Sequence, residues 1–437
     1  MPSLAQWLAP LLTAEFISAA TAQICTPPSG DRGNAWFITA QSELDQIASE
    51  CTTINGSLYI SKSYKGRFYL PNVQNITEGI SWVQDFDDYY NRPEPTSLEL
   101  PDLEEIGKSL ALYDIASLLK VSMPRLKKIR WSSNLEYVQE ADFRALESVH
   151  NLDLRGNMTG NSLRLDSLRT VGQKLSICNK DMCDSEASPA GSLDISLPSL
   201  QSVPRLILNG RISSLEIPSL TKITAVGLGT GYGYGYQDGD FEISTSGGPP
   251  VNLTFPKLSS LDGWGRFDGD IGSLSMPSLR NANSTSLSLR SNTRIDIHLP
   301  FEVIGNLEFM GNISSVTLPN LKHLTYIFLV NSTLPLDCDA ILKPIATAAN
   351  ITSYGGRLHC SSASDYEPSN SGLKTGAKVA IGVVVGVVGL AAIVGALWFL
   401  RKRRGYSKGE VWKMFKATQS VVPLKDTQPP AYGDVVS

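Results

Sequence analysis

The chain has 437 residues and a formal net charge of −4, so it is long enough for two or three ordinary domains or one repeat array. Its charge is unevenly placed: residues 23–373 carry 28 basic and 38 acidic side chains, whereas residues 401–437 carry 8 basic and 3 acidic ones. Nucleic acid requires a basic stripe, so the acidic first part argues against that class of partner. The basic end favours an anionic membrane surface instead.

The chain begins with an apolar stretch that is typical of a secretory signal peptide. Residues 7–20 are largely apolar and too few to span a bilayer, and Ala20, Thr21 and Ala22 form a small-x-small cleavage site. We therefore predict a signal peptide over residues 1–22 and a mature chain that begins at Gln23 in the secretory pathway.

Six cysteines lie between this stretch and residue 379, and they fall into three local couples. Their spacings match no zinc or redox motif, and an oxidising compartment favours disulfides. The sequence cannot choose among the many pairings, although contacts between neighbouring turns of a solenoid would favour local ones. The couples are Cys25 with Cys51, Cys178 with Cys183, and Cys338 with Cys360.

Eight N-x-Ser/Thr sequons occupy the same stretch, and none lies in residues 1–22 or 401–437. A single sequon is a weak motif, but eight in one part of the chain predict a secreted glycoprotein. The predicted glycosylation sites are Asn55, Asn75, Asn157, Asn252, Asn283, Asn312, Asn331 and Asn350.

Residues 379–400 are a run of 22 uncharged residues. As a helix this run would be about 33 Å long, enough to cross the hydrocarbon core of a bilayer. The basic residues 401–404 come directly after it, which favours a cytoplasmic location for the rest of the chain. The sequence thus predicts a single-pass plasma-membrane protein with an extracellular ectodomain at 23–360, a linker at 361–378, a transmembrane α-helix at 379–400 and a basic, disordered cytoplasmic tail at 401–437.

The predicted helix and the start of the tail suggest two further contacts. Gly382 and Gly386 form a GxxxG pair that would let two helices approach, so a homodimer and a lone helix are both open. The basic residues 401–404, followed by Trp412 and Phe415, suit a segment that binds anionic membrane lipid.

A proline-rich motif lies near the end of the chain. Pro429, Pro430 and Tyr432 match the PPxY ligand of WW domains, in which a preformed polyproline turn docks on an aromatic groove. The motif predicts a WW-domain protein as a partner of the tail, with ubiquitination of tail lysines as its consequence. The alternative is a proline-rich end that happens to contain a tyrosine.

One phrase recurs between Cys51 and Cys338: apolar-x-apolar-Pro-x-apolar-x-x-apolar. A period near 20 residues predicts a solenoid of short strands, with the two flanking apolar residues in the core and the middle residue outward. An ordinary β-sandwich would explain the alternation but not the recurring proline. The prolines are Pro71, Pro101, Pro124, Pro198, Pro218, Pro256, Pro277, Pro300 and Pro319.

A second phrase ends in asparagine and predicts a second strand in each turn, closed by an Asn turn. It is found before Asn157, Asn292, Asn312 and Asn331. Three of these four are also sequons, so a buried Asn ladder and a glycan would compete for the same side chains. We predict outward asparagines.

These phrases resemble the receptor L-domain family, and especially the fungal wall-organisation glycoproteins of the sporulation-specific wall protein group. The resemblance covers roughly Cys25 to Cys360. It implies a right-handed parallel β-helix or leucine-rich L-domain solenoid, no enzymatic activity, and a role in wall integrity and morphogenesis. Many members carry a glycolipid anchor, where this chain has the predicted transmembrane helix. The matching phrases are INGSLYI at Ile54, LPSL at Leu197, IPSL at Ile217, KIRW at Lys128, and Cys338-Asp339-Ala340 with Cys360.

Parallel β-helices also include carbohydrate-cleaving enzymes, whose acids lie on outward positions of neighbouring turns. Here the outward positions of the proline phrase are mostly hydroxyl-bearing, and acids are scattered. The best pair, Asp194 with Glu216, would lie within about 8 Å, a separation that glycosidases use, but solvated surface acids are the favoured interpretation. We therefore predict no catalytic residue and no cofactor. No metal spacing is found around His150, His298, His323 or His359.

Two insertions carry exposed aromatic candidates. Residues 227–242 alternate glycine with tyrosine, and residues 85–90 combine aspartate with tyrosine. Tyrosine rings would stack on a sugar or contact a protein, but solvated loops are the favoured interpretation.

Three functions remain, in order of preference. The first is a non-catalytic surface glycoprotein that organises the cell wall or mediates adhesion, with wall polysaccharide or a surface protein as its partner. The second is a ligand-binding surface receptor or wall sensor that is regulated by ubiquitination of its tail. The third and remote one is an enzyme that acts on polysaccharide.

Overall fold

The computed structural model describes residues 23–30, 33–82, 91–179, 191–224, 241–351 and 357–363. The chain divides into a unit of Met1–Tyr366 and a unit of Glu367–Ser437, and every described residue belongs to the first. That first unit is an all-β solenoid in which each turn supplies up to three parallel strands, one to each of three faces.

The first face is built from very short strands. They pair in parallel from turn to turn, for example Ile54 with Ile76 and Ile106 with Ile129. Its separate strands are β1 (Ile24–Cys25), β4 (Thr53–Ile54), β7 (Asn75–Ile76), β10 (Glu105–Ile106), β19 (Ser202–Val203), β22 (Lys222–Ile223), β25 (Ser260–Leu261) and β30 (His323–Leu324).

The second face has longer strands, and all its pairings are parallel except that of β2 with β3. Its separate strands are β2 (Ser29–Gly30), β3 (Gly33–Ile38), β5 (Ser57–Ile60), β8 (Ile80–Trp82), β11 (Leu110–Leu112), β20 (Arg205–Gly210), β23 (Phe241–Thr245), β26 (Gly263–Gly269), β31 (Phe328–Ser332) and β32 (Leu358–Ser361).

The third face holds the strand that precedes each recurring proline. Its separate strands are β6 (Lys65–Tyr69), β9 (Glu94–Glu99), β12 (Lys120–Ser122), β14 (Glu140–Asp142), β16 (Leu163–Arg164), β18 (Leu193–Ser196), β21 (Ile212–Glu216), β24 (Val251–Thr254) and β27 (Ile271–Ser275). Five strands bend through corners: β13 (Lys128–Leu135), β15 (Ser148–Arg155) and β17 (Thr170–Asn179) join the first two faces, and β28 (Asn281–His298) and β29 (Val303–Thr317) run through all three.

The recurring phrase covers one strand, a corner and the start of the next turn. In LELPDLEEI, Leu98 and Leu100 point inward from the third face, and Ile106 points inward from the first face of the next turn. Between them the amide of Leu103 donates to the carbonyl of Leu100 at 3.4 Å. Pro101 therefore occupies the second position of a four-residue turn, where its fixed φ is already suitable.

The core consists of apolar side chains stacked in register along the chain. Ile54, Ile76, Ile106 and Ile129 form one such column, and each is at most 1% exposed. Burial of one such side chain contributes about 1.5–3 kcal/mol, so the repeated columns account for much of the stability of the solenoid. The solenoid that the alternation of apolar residues predicted is therefore confirmed.

The corner between the second and third faces is lined by small residues. Thr245, Ser291 and Ser332 are buried there and alternate with glycines from turn to turn. Gly269 has φ +108°, and a Cβ atom on it would lie 1.6 Å from the carbonyl oxygen of Thr245. Only glycine fits at this close approach of two turns.

Two short helices lie near the two ends of the described solenoid. They are α1 (Gln41–Glu50) and α2 (Cys338–Ala348). A disulfide joins Cys25 to Cys51 after α1, and another joins Cys338 to Cys360. Cys178 is also disulfide-bonded, and Cys183, its predicted partner, lies outside the described residues.

The predicted fold class included a transmembrane helix, and that part of the prediction is wrong. The two helices in the described ranges have 10 and 11 residues, and those ranges contain no helix long and apolar enough to cross a membrane. The prediction rested on hydropathy and length alone, which measure polarity and reach but not conformation. Residues 361–378 lie only partly within the described residues, and 379–400 and 401–437 lie outside them.

Candidate functional site

The outward positions of the third face form two columns of polar side chains, in the phase that the sequence predicted. Asp194 pairs with Ser214, and Ser196 pairs with Glu216. Four turns further along, Asp296 pairs with Ser315 and His298 pairs with Thr317. The strand phase is therefore confirmed, and this face presents hydroxyl, carboxylate and imidazole groups to solvent.

Charge pairs dominate the first turns of the third face. Arg67 donates to both carboxylate oxygens of Glu99, at 2.9 and 2.7 Å, and Ser97 donates to the same carboxylate at 2.9 Å. The hydrogen bond from Arg67 lowers the pKa of Glu99, with a smaller contribution from Ser97. The Arg67 guanidinium also lies 4.1 Å from the centre of the Tyr69 ring. Because Arg67 and Glu99 neutralise each other, this pair is not a candidate binding site for an ion.

In the later turns, hydrogen bonds from serine hydroxyls to an aspartate take the place of the charge pairs. We call each such group of an aspartate and two serines a hydroxyl clasp. Asp194 Oδ1 accepts hydrogen bonds from Ser213 at 2.6 Å and Ser214 at 2.7 Å, both on the next turn. These two hydrogen bonds lower the pKa of Asp194. The two serines lie at a bulge in the pairing of β18 with β21, and the carboxylate holds that bulge in place.

The same clasp recurs further along the face. Asp296 Oδ1 accepts from Ser314 and Ser315, both at 2.7 Å, and the pKa of Asp296 is lowered in the same way. Between the two clasps, Asn252 Oδ1 accepts from Ser273 at 2.9 Å. An acid or amide on one turn and a serine on the next therefore form a two-turn unit. In the sequence these serines follow an isoleucine, as Ser-Ser in two places and as Gly-Ser in a third. A repeat period of one turn gives no sign of a contact between two turns, so this arrangement was not predicted.

The geometry does not favour Asp194 and Glu216 as a pair of glycosidase acids. Each of them lies opposite a serine rather than opposite the other. A general acid needs a raised pKa, whereas the Ser213 and Ser214 hydroxyls lower that of Asp194. Among the described residues no group of three or more His, Cys, Asp or Glu side chains is arranged to hold a metal ion.

The predicted glycosylation sites differ in exposure. Asn55, Asn252, Asn283, Asn331 and Asn350 are exposed. The other three, Asn75, Asn157 and Asn312, are half-buried. A column of buried polar side chains runs beside Asn157, Asn312 and Asn331. These three asparagines do not belong to it; other residues form it, for example Asn179 and Ser332.

A cleft of about 610 Å³ opens on the third face beside Asn157. It lies where β16, with only two residues, is followed by a single bridge between Gly160 and Leu193 rather than by a full strand pairing. Its walls are polar and include Lys120, Ser122, Gln139, Glu140, Asp142, Asn157, Thr159, Asn161, Ser162 and Arg164. A second, more open depression of about 520 Å³ on the first face contains Asn283 among its lining residues.

A strip with an exposed apolar side chain at each end lies on the second face near its corner with the first. Trp264 and Ile327 are each 47% exposed. Ser286 and Asn306 lie between them on the two intervening turns: Ser286 pairs with both Trp264 and Asn306, and Asn306 is hydrogen-bonded to Ile327. Asn306 Nδ2 donates to Ser286 at 2.8 Å, and the amide of Ile327 donates to Asn306 Oδ1 at 3.1 Å. The strip extends over four turns, and the three spacings between them add up to about 14 Å at the usual distance between strands. The sequence reasoning missed it because a lone Trp between two glycines has no periodic signal.

The column beside this strip supplies polar groups. Arg266, Ser288 and Glu308 occupy successive turns there, and Arg266 forms an ion pair with Asp268 at 3.3 Å. No sequon asparagine occupies either column. An exposed indole ring with polar side chains beside it is a surface on which a sugar ring could stack and form hydrogen bonds.

Several sequence predictions fall outside the described residues. These include the loop 227–240, the segment 85–90, the glycines at 382 and 386, the basic and aromatic segment 401–416, and the motif at Pro429, Pro430 and Tyr432. The WW-domain protein, the anionic lipid and the homodimer therefore stay predictions.

The fold and its surfaces define a class: an all-β solenoid with disulfides near both ends, outward polar columns and several sequons. No family profile and no solved structure matches the chain. The chain is similar to Protein ecm33 from Aspergillus fumigatus, with 25% identity over 345 residues that cover 74% of this chain and 80% of that relative. This similarity establishes a distant homology to a fungal protein.

Proposed function

We propose that this chain is a secreted, non-catalytic glycoprotein of the fungal cell wall, and that it helps to organise the wall by binding wall polysaccharide. The distant homology to Protein ecm33 and the wall-glycoprotein resemblance of the repeat phrases support the association with the wall. The sequons and the disulfides suit an extracellular, oxidising location.

The observation that carries the polysaccharide partner is the strip formed by Trp264, Ser286, Asn306 and Ile327. Its indole ring offers a stacking surface, and the amide and hydroxyl groups along the strip offer hydrogen bonds at intervals of about 4.8 Å. Neither the strip nor the column beside it contains a predicted glycosylation site. A surface protein is the other candidate partner, and the same experiment separates the two.

The test is co-sedimentation of the purified, glycosylated chain with insoluble polysaccharide prepared from fungal walls. We expect Trp264→Ala to weaken binding roughly tenfold, which corresponds to about 1.4 kcal/mol for loss of the aromatic contact. Trp131→Ala is the matched control, because Trp131 is 63% exposed at the same corner of a distant turn, beside the Arg130–Glu105 ion pair.

Wild-type protein that fails to sediment with any wall polysaccharide would contradict the polysaccharide partner. Equal losses from Trp264→Ala and Trp131→Ala would show that the strip is not the binding surface. Binding to intact walls but not to deproteinised walls would favour a surface protein as the partner instead.

A further inference from the structure

The cleft beside Asn157 contains its own candidate attachment point for a sugar. Asn157 is the first residue of a sequon whose third residue, Thr159, also lines the cleft. The amide of Gly191 donates to Asn157 Oδ1 at 3.1 Å, which fixes the orientation of the side-chain amide. The Nδ2 atom, to which an N-glycan is attached, therefore has a defined position in the cleft wall.

The lining of the cleft is suited to a carbohydrate. Sugar hydroxyls both donate and accept hydrogen bonds, and the cleft walls carry both kinds of group. Lys120 and Arg164 are donors, and Arg164 also pairs with Asp166. Glu140 and Asp142 are acceptors, and Asp142 also pairs with Arg144. Lys120 and Glu140 are 3.5 Å apart, at about half of their full exposure, so they remain reachable from the cleft. Its volume of about 610 Å³ lies within the range of ordinary small-ligand sites.

We infer that the N-glycan attached to Asn157 folds back into this cleft and covers the third face where its strand pairing is interrupted. Attachment at the cleft wall gives the first sugars a local concentration in the millimolar range, so that weak hydrogen bonds suffice to hold them. The glycan thus closes the cleft to free saccharides and leaves the second face as the surface that is open to the wall. This inference rests on the proposed function, since it requires a glycosylated, secreted chain.

The interruption explains why a cover is useful at this place. β16 is the end strand of a five-stranded sheet, and a single bridge between Gly160 and Leu193 connects its turn to the next one. The edge of an end strand offers polar groups to solvent or to another chain. A sugar held by Lys120 and Arg164 would shield that edge.

The experiment measures how fast an amine-reactive ester acylates Lys120 in the full, folded chain. Asn157→Gln and Thr159→Ala both remove the sequon, and Thr159→Ala keeps the Asn157 side chain and its bond to Gly191. Thr159→Ser keeps the sequon, and Asn252→Gln removes a sequon from the exposed part of the third face, away from the cleft. Lys65 is the internal reference, because its side chain is 69% exposed and it does not line the cleft.

We expect Lys120 to react at least about threefold faster in Asn157→Gln and Thr159→Ala, since the tethered sugars no longer cover it. The rate should stay at the wild-type value in Thr159→Ser and Asn252→Gln, and Lys65 should react equally in every variant. An unchanged Lys120 rate in both sequon variants would overturn the inference, as would mass spectrometry that finds Asn157 unmodified while other sequons carry glycans. If no sequon carries a glycan, the proposed function fails with it; if only Lys120 is unaffected, this inference alone fails.

Discussion

Asp153 is an acid at an outward position of the second face, yet only 7% of its surface is exposed. Burial by itself would raise the pKa of Asp153, but the hydrogen bond from Arg155 at 3.1 Å and the Lys174 ammonium at 3.0 Å outweigh it and lower that pKa. A lowered folded-state pKa means that the ionised carboxylate stabilises the fold at neutral pH. This stabilisation is lost as the pH falls below the unfolded value of about 3.9.

We therefore predict that Asp153→Asn lowers the free energy of unfolding by about 2 kcal/mol at pH 7, because two charged donors lose the negative charge of their acceptor. Asp166→Asn is the control, since its pair with Arg164 is 41–45% exposed and should contribute less than about 1 kcal/mol. Denaturant titration at pH 7 and pH 3 measures both. A difference between wild type and Asp153→Asn that is as large at pH 3 as at pH 7 would show that the carboxylate charge is not the cause.

At the scale of the strand, side chains alternate between the core and solvent except at bulges. In β27, Leu274 is 4% exposed, and its neighbour Ser275 lies outward opposite Thr254. We predict that Leu274→Asp lowers the free energy of unfolding by roughly 3–5 kcal/mol, because it removes an apolar contact and buries an unpaired charge. Ser275→Asp in the same strand should change it by only about 0.5 kcal/mol.

Hydrogen exchange of the adjacent turns checks the prediction for β27. The amides of β24 and β28 should lose protection in Leu274→Asp and keep it in Ser275→Asp, because each turn buries the apolar residues of its neighbours. If both variants behaved alike, the inward and outward assignments of this strand would be exchanged.

Much of this element-scale organisation could be predicted because it repeats. The alternation around Pro101 or Pro218 predicts both the strand and its outward residues, since a one-residue shift would bury polar side chains. The bends of β28 and β29 through two corners could not be predicted, because they depend on close packing such as that of Gly269 on Thr245. The cleft beside Asn157 could not be predicted either. It lies where the repeat is interrupted, and a periodic pattern gives no information about such a place.

At the scale of the whole molecule, the candidate surfaces come from the stacking of turns rather than from one motif. Trp264 and Ile327 are 63 residues apart in the chain, and only the solenoid register brings them onto one strip. Composition and sequons predict a secreted glycoprotein, and the glycosylation stays a prediction. Hydropathy predicted a transmembrane helix, and the described residues contain none. Residue patterns predicted the fold well in the repeating turns, where each turn packs on its neighbours. They did not do so for a single segment considered alone.

The central claim is that this chain is a secreted glycoprotein of the cell wall, and cell fractionation tests it most directly. Fungal walls are isolated from cells that express the epitope-tagged chain and washed with hot detergent, and the wall, membrane and cytosol fractions are compared before and after N-glycosidase treatment. The account predicts that the chain is found in the wall fraction and that its apparent mass falls by several glycans on treatment. A chain that remains in the cytosol with an unchanged mass would contradict the account.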